Sequence, residues 1–277
     1  MYDHHRVTTL DDLIKNIERK IENSNYDKLY LSRLKDFLKN KIKKEYGNIS
    51  VVATILLIEK YNEKRNNKIF ETNQQYCKNK VFANFFEENL RSKIKSNRYH
   101  LISIENCNGH HVLIVGEPDG LRFEGNINNK AKIYEIKSFN LTDFIQSVKK
   151  LKEYILNKEI LNMIEISSSQ SMLYQYLLEK TQKFGLIGEI YKINLYGNIY
   201  LYSDNIEYLL WARETIEKNI NTIKEFAKTY NAYNLSLKDG EIVNINNKNI
   251  YYFKIDFRVE YNEKIIKNYL EILNELI

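Results

Sequence analysis

The sequence predicts an α/β protein: a central mixed β-sheet flanked by helices, with helical extensions at both ends. Three observations point there. Apolar residues recur at helical spacing from about residue 10 to 66, and again from about residue 141. Between these regions, three apolar runs with strand character follow one another from residue 99 to 139. A helical segment with an aromatic stripe leads directly into the first of them.

Composition narrows the class. At 277 residues the chain is long enough for a substantial core. With 43% hydrophobic and 28% charged residues it reads as an ordinary globular protein. No apolar run reaches the roughly 18 residues that a membrane span needs, so no membrane partner is expected. The amino terminus, MYDHHRVTTLDDLIKNIERK, lacks the apolar core of a secretory signal. Two distant cysteines, Cys77 and Cys107, argue against a disulfide framework and for an intracellular, cytoplasmic setting. The net charge of +6 permits a polyanionic partner without requiring one.

Taken in order, LDDLIKNIERKIEN places Leu10, Leu13, Ile14, Ile17 and Ile21 on one helical face, with Thr9 as cap. Leu29, Leu34, Phe37, Leu38 and Ile42 repeat the pattern up to a stop at Gly47. The lysine-rich run from Lys39 to Lys44 reads as a solvated helix end. ISVVATILLIEKYNEK is read as a buried helix, although its β-branched residues also suit a strand. NKVFANFFEENLRSKI is the next helix. The strands YHLISIEN and HVLIVGEPDGLRF are joined by a turn at Cys107–Asn108–Gly109, where Asn and Gly tolerate positive φ. AKIYEIKSF is the third strand. A helix over about 141–161 follows, then a second whose serine run supplies caps and which Gly185 stops. EIYKINLYGNIYLYS reads as a hairpin about Tyr196–Gly197–Asn198. A long helix to about Tyr230, a short β pair and a terminal helix complete the chain. The division expected is 1–70 as an N-terminal helical region, 71–203 as the core, and 204–277 as an extension packed on it.

The chemistry concentrates around Pro118, the single proline of the chain, which lies between Glu117 and Asp119. Proline suits a bent strand or one with a free N–H position. Acid-x-Lys triplets occur twice, at Glu18–Arg19–Lys20 on a surface-like helix and at Glu135–Ile136–Lys137 on a strand. On a strand, Glu135 and Lys137 share a face while Ile136 packs on the other. If the two strands pair, Asp119 lies beside Glu135. Taken alone, the triplet reads more readily as a surface ion pair. Two adjacent carboxylates, however, repel, and a hard cation with oxygen ligands such as Mg²⁺ resolves that repulsion. A neighbouring lysine can then orient the attacking water or stabilise charge on a phosphate. On the preceding helix, Phe82, Phe86, Leu90 and Ile94 form one stripe; Glu87 lies at its edge, and Glu88 points away. Gln170 and Tyr174, four apart, share a helix face that can reach the same cleft.

These residues resemble the PD-(D/E)XK nucleases, in particular the RecB-type branch that includes CRISPR-associated exonucleases. The resemblance covers roughly residues 79–202. It rests on Glu87 in a helix, GEPDG with Asp119, EIK with Glu135 and Lys137, and QSMLY with Gln170 and Tyr174, in the family's order. It implies a restriction-endonuclease-like core and a Mg²⁺- or Mn²⁺-dependent deoxyribonuclease, acting on single-stranded or end-bearing DNA. Glu87, Asp119, Glu135 and the Ile136 carbonyl would hold the cation, and Asp119, Glu135 and Lys137 would be catalytic. Gln170 and Tyr174 would contact the nucleic acid. Three features depart from the pattern: Ala83 stands where a histidine is common, two separated cysteines cannot hold an iron–sulfur cluster, and the gap of about 32 residues from Lys137 to Gln170 is longer than usual and filled by an additional helix. A nucleic-acid- or protein-binding module with little catalysis is the alternative. A junction-resolving endonuclease, which would need a homo-oligomer with paired sites, is another.

Overall fold

The computed structural model describes residues 6–22, 26–64, 80–124 and 129–277, apart from the side chains of Lys80 and Ala83. The chain begins with a short strand, β1 (Thr8–Thr9), which turns into helix α1 (Leu10–Ile21). Thr9 caps this helix as expected: its hydroxyl accepts the Asp12 N–H while the Asp12 carboxylate accepts the Thr9 N–H. Helix α2 (Lys28–Phe37) runs through a π-helical turn (Leu38–Ile42) into α3 (Lys43–Tyr46) and stops at Gly47, whose φ of +74° favours glycine. Of the predicted apolar positions, Leu10, Leu13, Ile14, Ile17, Leu34, Leu38 and Ile42 are buried and Ile21 and Phe37 half-buried, but Leu29 is exposed.

The segment read as one buried helix is instead a strand, β2 (Ser50–Ala53), followed by α4 (Thr54–Lys64). Its β-branched residues carry the strand part, because Val51 and Val52 complete a sheet with a partner some 60 residues downstream. After α5 (Lys80–Ile94), β3 (Leu101–Cys107) and β4 (His110–Gly116) form the expected hairpin, with positive φ at Asn108 and Gly109. The first sheet has the order β1-β2-β4-β3, with β2 and β4 parallel.

The second sheet is built from β5 (Gly120–Glu124), β6 (Lys130–Asn140), β7 (Lys192–Ser203), β8 (Ala232–Asp239), β9 (Val243–Ile245) and β10 (Lys248–Val259). Its order is β5-β6-β7-β10-β8, with β9 on β10. Only β6 and β7 run parallel, so this sheet too is mixed. The α/β class with flanking helices therefore holds, with two mixed sheets in place of the one central sheet expected. The terminal regions do more than pack on a core. Residues 50–53 pair with β4, and β10 pairs with β7 over nine positions.

Three local expectations give way to tertiary context. The expected hairpin about Gly197 is an uninterrupted strand: Gly197 lies opposite Phe257 of β10, and the Phe257 ring fills the space a side chain would need. The serine run does not cap a helix. Helix α6 (Leu141–Ser147), capped by Asn140, ends early, and α7 (Lys152–Lys183) passes straight through Ser167–Ser171. Helix α7 packs on β3 and β4 of one sheet and on β6 and β7 of the other. A helix enclosed on this scale takes small buried residues in place of a polar face. The C-terminal β pair, finally, is three strands joined to the second sheet. Helix α8 (Ile206–Thr229) ends close to the expected Tyr230, and α9 (Glu263–Glu271) with α10 (Leu273–Leu276) closes the chain. No described helix is long and apolar enough to cross a membrane.

The Gly197 contact is testable. A Cβ there would lie 2.1 Å from Phe257 Cζ. Gly197→Ala should cost about 1–3 kcal/mol in chemical denaturation, and Phe257→Leu in the same chain should recover part of that loss. Equal stability of Gly197→Ala and the wild type would contradict the packing described.

Candidate metal and nucleic-acid site

Three residues carry the chain from one sheet to the other. Gly116 still pairs with Leu101 in the first sheet, and Gly120 already pairs with Tyr134 in the second. Between them stand Glu117, Pro118 and Asp119, so the run expected as one strand is two. Pro118 has no N–H to satisfy and sits where neither sheet pairs it. Gly116 makes room for α7, since a Cβ there would lie 2.8 Å from both Tyr174 and Leu177 side-chain carbons.

The β5–β6 register brings Asp119 next to Glu135. Because the ladder ends at Gly120, the Asp119 side chain takes over from the backbone: the Ile136 N–H donates to Asp119 Oδ2 at 2.7 Å. Glu135 and Lys137 share one face of β6, and Lys137 Nζ donates to Glu135 Oε1 at 2.5 Å. Ile136 packs on the opposite face with Phe86, Leu90, Tyr200, Tyr202 and Tyr252. The stripe of α5 sits on that face, leaving Glu87 at its edge and Glu88 exposed. Gln170 and Tyr174 are both buried, and the Gln170 amide donates to the Tyr174 hydroxyl at 3.2 Å.

All seven residues singled out from the sequence line one cavity of about 380 Å³: Glu87, Asp119, Glu135, Ile136, Lys137, Gln170 and Tyr174. Glu117, Lys20, Arg98 and His100 line it too. Sequence reasoning missed these four as site residues. Lys20 belongs to the triplet set aside as surface-like, yet its ammonium lies 2.7 Å from Glu117 Oε2. Glu117 also accepts from the Tyr26 hydroxyl at 2.5 Å and from Arg98 at 3.4 Å, with His100 Nδ1 at 3.5 Å. The acid beside Pro118 was a visible signal; its partners, scattered over the first hundred residues, were not.

Glu87 is engaged differently from expectation. Its Oε2 accepts from Arg98 Nη2 and, at 3.3 Å, from Arg91 Nη1, and Arg91 also donates to the Asp119 carbonyl at 3.1 Å. The stretch from Arg91 to Arg98 thus turns both arginines inward, and the Arg91 side chain is buried. Among the described residues no three His, Cys, Asp or Glu side chains form a metal-holding group. Asp119 and Glu135 meet in this cavity as expected, but Glu87, held by Arg98 and Arg91, does not complete a group of three carboxylates. His110 and His111 lie at the far end of β4, exposed, with His111 against the Tyr46 ring.

Burial, followed by the Glu135 charge, pushes Asp119 up to about 7 against the pull of Lys137 and the Ile136 N–H. Burial and then Asp119 push Glu87 up to about 7, with Arg98 and Arg91 opposing. Glu135 is also raised by its burial, Lys137 opposing. Glu117 goes the other way: burial raises it, but His100, Lys20 and Tyr26 together hold it at about 2. Glu135 Oε2 is buried without a hydrogen-bond partner, and so is Gln170 Oε1. An orphaned carboxylate oxygen beside a second carboxylate fits a hard, oxygen-liganded cation. Asp119 and Glu135 would hold it; Glu87 would join only on leaving Arg98.

No protein-family model and no curated protein matches the chain. One solved structure, described as the crystal structure of SSO0001, is similar at 13% identity with a TM-score of 0.30. The likeness spans 76% of this chain and 84% of that one, and is too faint to carry an argument.

The opposed shifts predict a stability profile for the cation-free protein. Asp119 and Glu87 bind protons more tightly folded than unfolded, so their contribution is full below about pH 4 and lost as pH rises through about 7. The contribution of Glu117 is present above about pH 4.5 and lost as pH falls through about 2. Urea midpoints should therefore decline between about pH 5 and pH 8, and decline less in Asp119→Asn. Glu117→Gln should destabilise by on the order of 3 kcal/mol at neutral pH by stranding its cationic partners. A profile that Asp119→Asn leaves unchanged would contradict the assignment.

Proposed function

We propose that this chain is a metal-dependent nuclease of the PD-(D/E)XK type, hydrolysing phosphodiester bonds of single-stranded or end-bearing DNA. One observation carries the reading. Asp119 is fixed by the Ile136 N–H, in a cavity that Glu135, Lys137, Glu87, Gln170 and Tyr174 also line. Segments far apart in the sequence supply these residues, and a surface ion pair would need none of the others.

Each side chain has a role in this reading. Asp119 and Glu135 are the cation's ligands, with the Ile136 carbonyl as a further one. A divalent cation there would supply charge neutralisation and polarisation of a phosphoryl oxygen. With Glu135 turned to a cation, the Lys137 ammonium is left to orient the attacking water and to stabilise charge on the phosphate. Gln170 and Tyr174 form the buried wall, so they contact only those parts of a strand that enter the cavity. Charge balance adds support. The carboxylates of Glu87, Glu117, Asp119 and Glu135 are matched by Lys20, Arg91, Arg98 and Lys137. A divalent cation therefore leaves excess positive charge, which a phosphodiester offsets.

The second reading is a nucleic-acid- or protein-binding module with little catalysis. The grip of Arg98 and Arg91 on Glu87 favours it, because that acid is already neutralised. Labelled DNA separates the two. With Mg²⁺ or Mn²⁺ the wild type should degrade it, and Asp119→Asn and Lys137→Ala should each lose about a hundredfold or more while remaining folded. Chelation should stop cleavage and leave much of the binding, which should weaken steeply with salt. Salt-sensitive binding with no hydrolysis of single-stranded, nicked, duplex or branched substrates would establish the binding module instead.

A further inference from the structure

A second cavity, of about 470 Å³, lies beside the first, with Tyr30, Arg33, Tyr99, Phe123, Asn129 and Lys130 in its walls. The stretch Asn97–His100 separates the two. It is extended, bridging to Leu121 on one side and Tyr26 on the other, so its side chains alternate. Arg98 and His100 enter the cavity of Asp119, and Tyr99 enters the second. Phe123 lies four residues beyond Asp119 on β5, about 13 Å along the strand. It shares the face of the β5–β6 hairpin that carries Glu135, since it pairs with Ala131.

Phe123 is 39% exposed, with its ring edge-on to Tyr99 at 5.4 Å, and Tyr99 is in turn edge-on to Tyr30 at 5.0 Å. The three acids in this cavity are already engaged: Asp27 caps α2 and takes the Tyr99 hydroxyl, Glu124 pairs with Lys132, and Glu189 takes the Tyr191 hydroxyl. An aromatic platform rimmed by Arg33 and Lys130, with an amide at Asn129, suits a flat, hydrogen-bonding ring attached to phosphate. We infer that this cavity receives one unpaired nucleobase, stacked on Phe123, of a strand whose phosphate occupies the neighbouring cavity. Stacking on an aromatic face tolerates any base, so the contact gives affinity for single strands rather than sequence choice. The inference rests on the nuclease reading for the identity of the strand, though not for its cleavage.

The test uses the full chain in EDTA and a single-stranded oligonucleotide with 2-aminopurine placed at each position in turn. A stacked base should be quenched at one or two positions. Phe123→Ala should abolish that quench and weaken binding about tenfold, the loss of one stacked base. Phe123→Trp should restore both, which a merely misfolded Phe123→Ala could not explain. An abasic nucleotide at the quenched position should cost the wild type as much, and Phe123→Ala nothing further. Affinity indifferent to abasic substitution at every position, or a quench that survives Phe123→Ala, overturns the inference. Base-dependent binding without hydrolysis in Mg²⁺ keeps it and removes the nuclease reading. Hydrolysis without base-dependent binding removes this inference alone, and a chain that binds no nucleic acid removes both.

Discussion

The hydrogen bond from the Ile136 N–H to Asp119 Oδ2 fixes the point where the chain leaves one sheet for the other. With only Glu117, Pro118 and Asp119 to make the passage, β4 must end and β5 must begin almost at once. The side chain of Asp119 then stands where a backbone carbonyl would continue the ladder. Its neighbour Glu135 is buried more deeply still; burial drives both carboxyls up, and the Glu135 charge adds to the rise at Asp119. Such a pair is unfavourable for stability at neutral pH. An arrangement of this kind is where a functional role is to be looked for.

Around this pair the protein keeps its charges in balance. Arg98 bridges Glu87 and Glu117, tying α5 to the crossover, while Lys20 and Tyr26 tie the crossover to the N-terminal helices. The acid of α5 is thereby held within the electrostatic reach of Asp119 yet withheld from the Asp119–Glu135 pair. Opening the site to a third carboxylate ligand means moving one arginine. The guanidinium released would face the same cavity, where a phosphate could take the place of Glu87.

The parts legible in the sequence were those decided by local pattern. Strand alternation put Glu135 and Lys137 on one face, helical spacing chose Glu87 over Glu88, and the lone proline marked the break between sheets. Other features depend on partners that no local window contains. Gly197 looks like a turn until Phe257 covers it, and Ser167–Ser171 look like caps until α7 is enclosed by two sheets. Ser50–Ala53 becomes a strand because β4 offers it an edge. The place of Lys20 and Arg98 in the site was hidden for the same reason, since their acid, Glu117, is fixed by topology rather than by spacing along a helix or strand.

The central claim is that Asp119 and Glu135 form a cation site from which Arg98 withholds Glu87. Manganese binding, followed by electron paramagnetic resonance without nucleic acid, tests it most directly. The account predicts a saturable site that Asp119→Asn and Glu135→Gln each abolish and that Arg98→Met tightens by freeing Glu87. Binding that survives both carboxylate substitutions, or no saturable site in either the wild type or Arg98→Met, would contradict it.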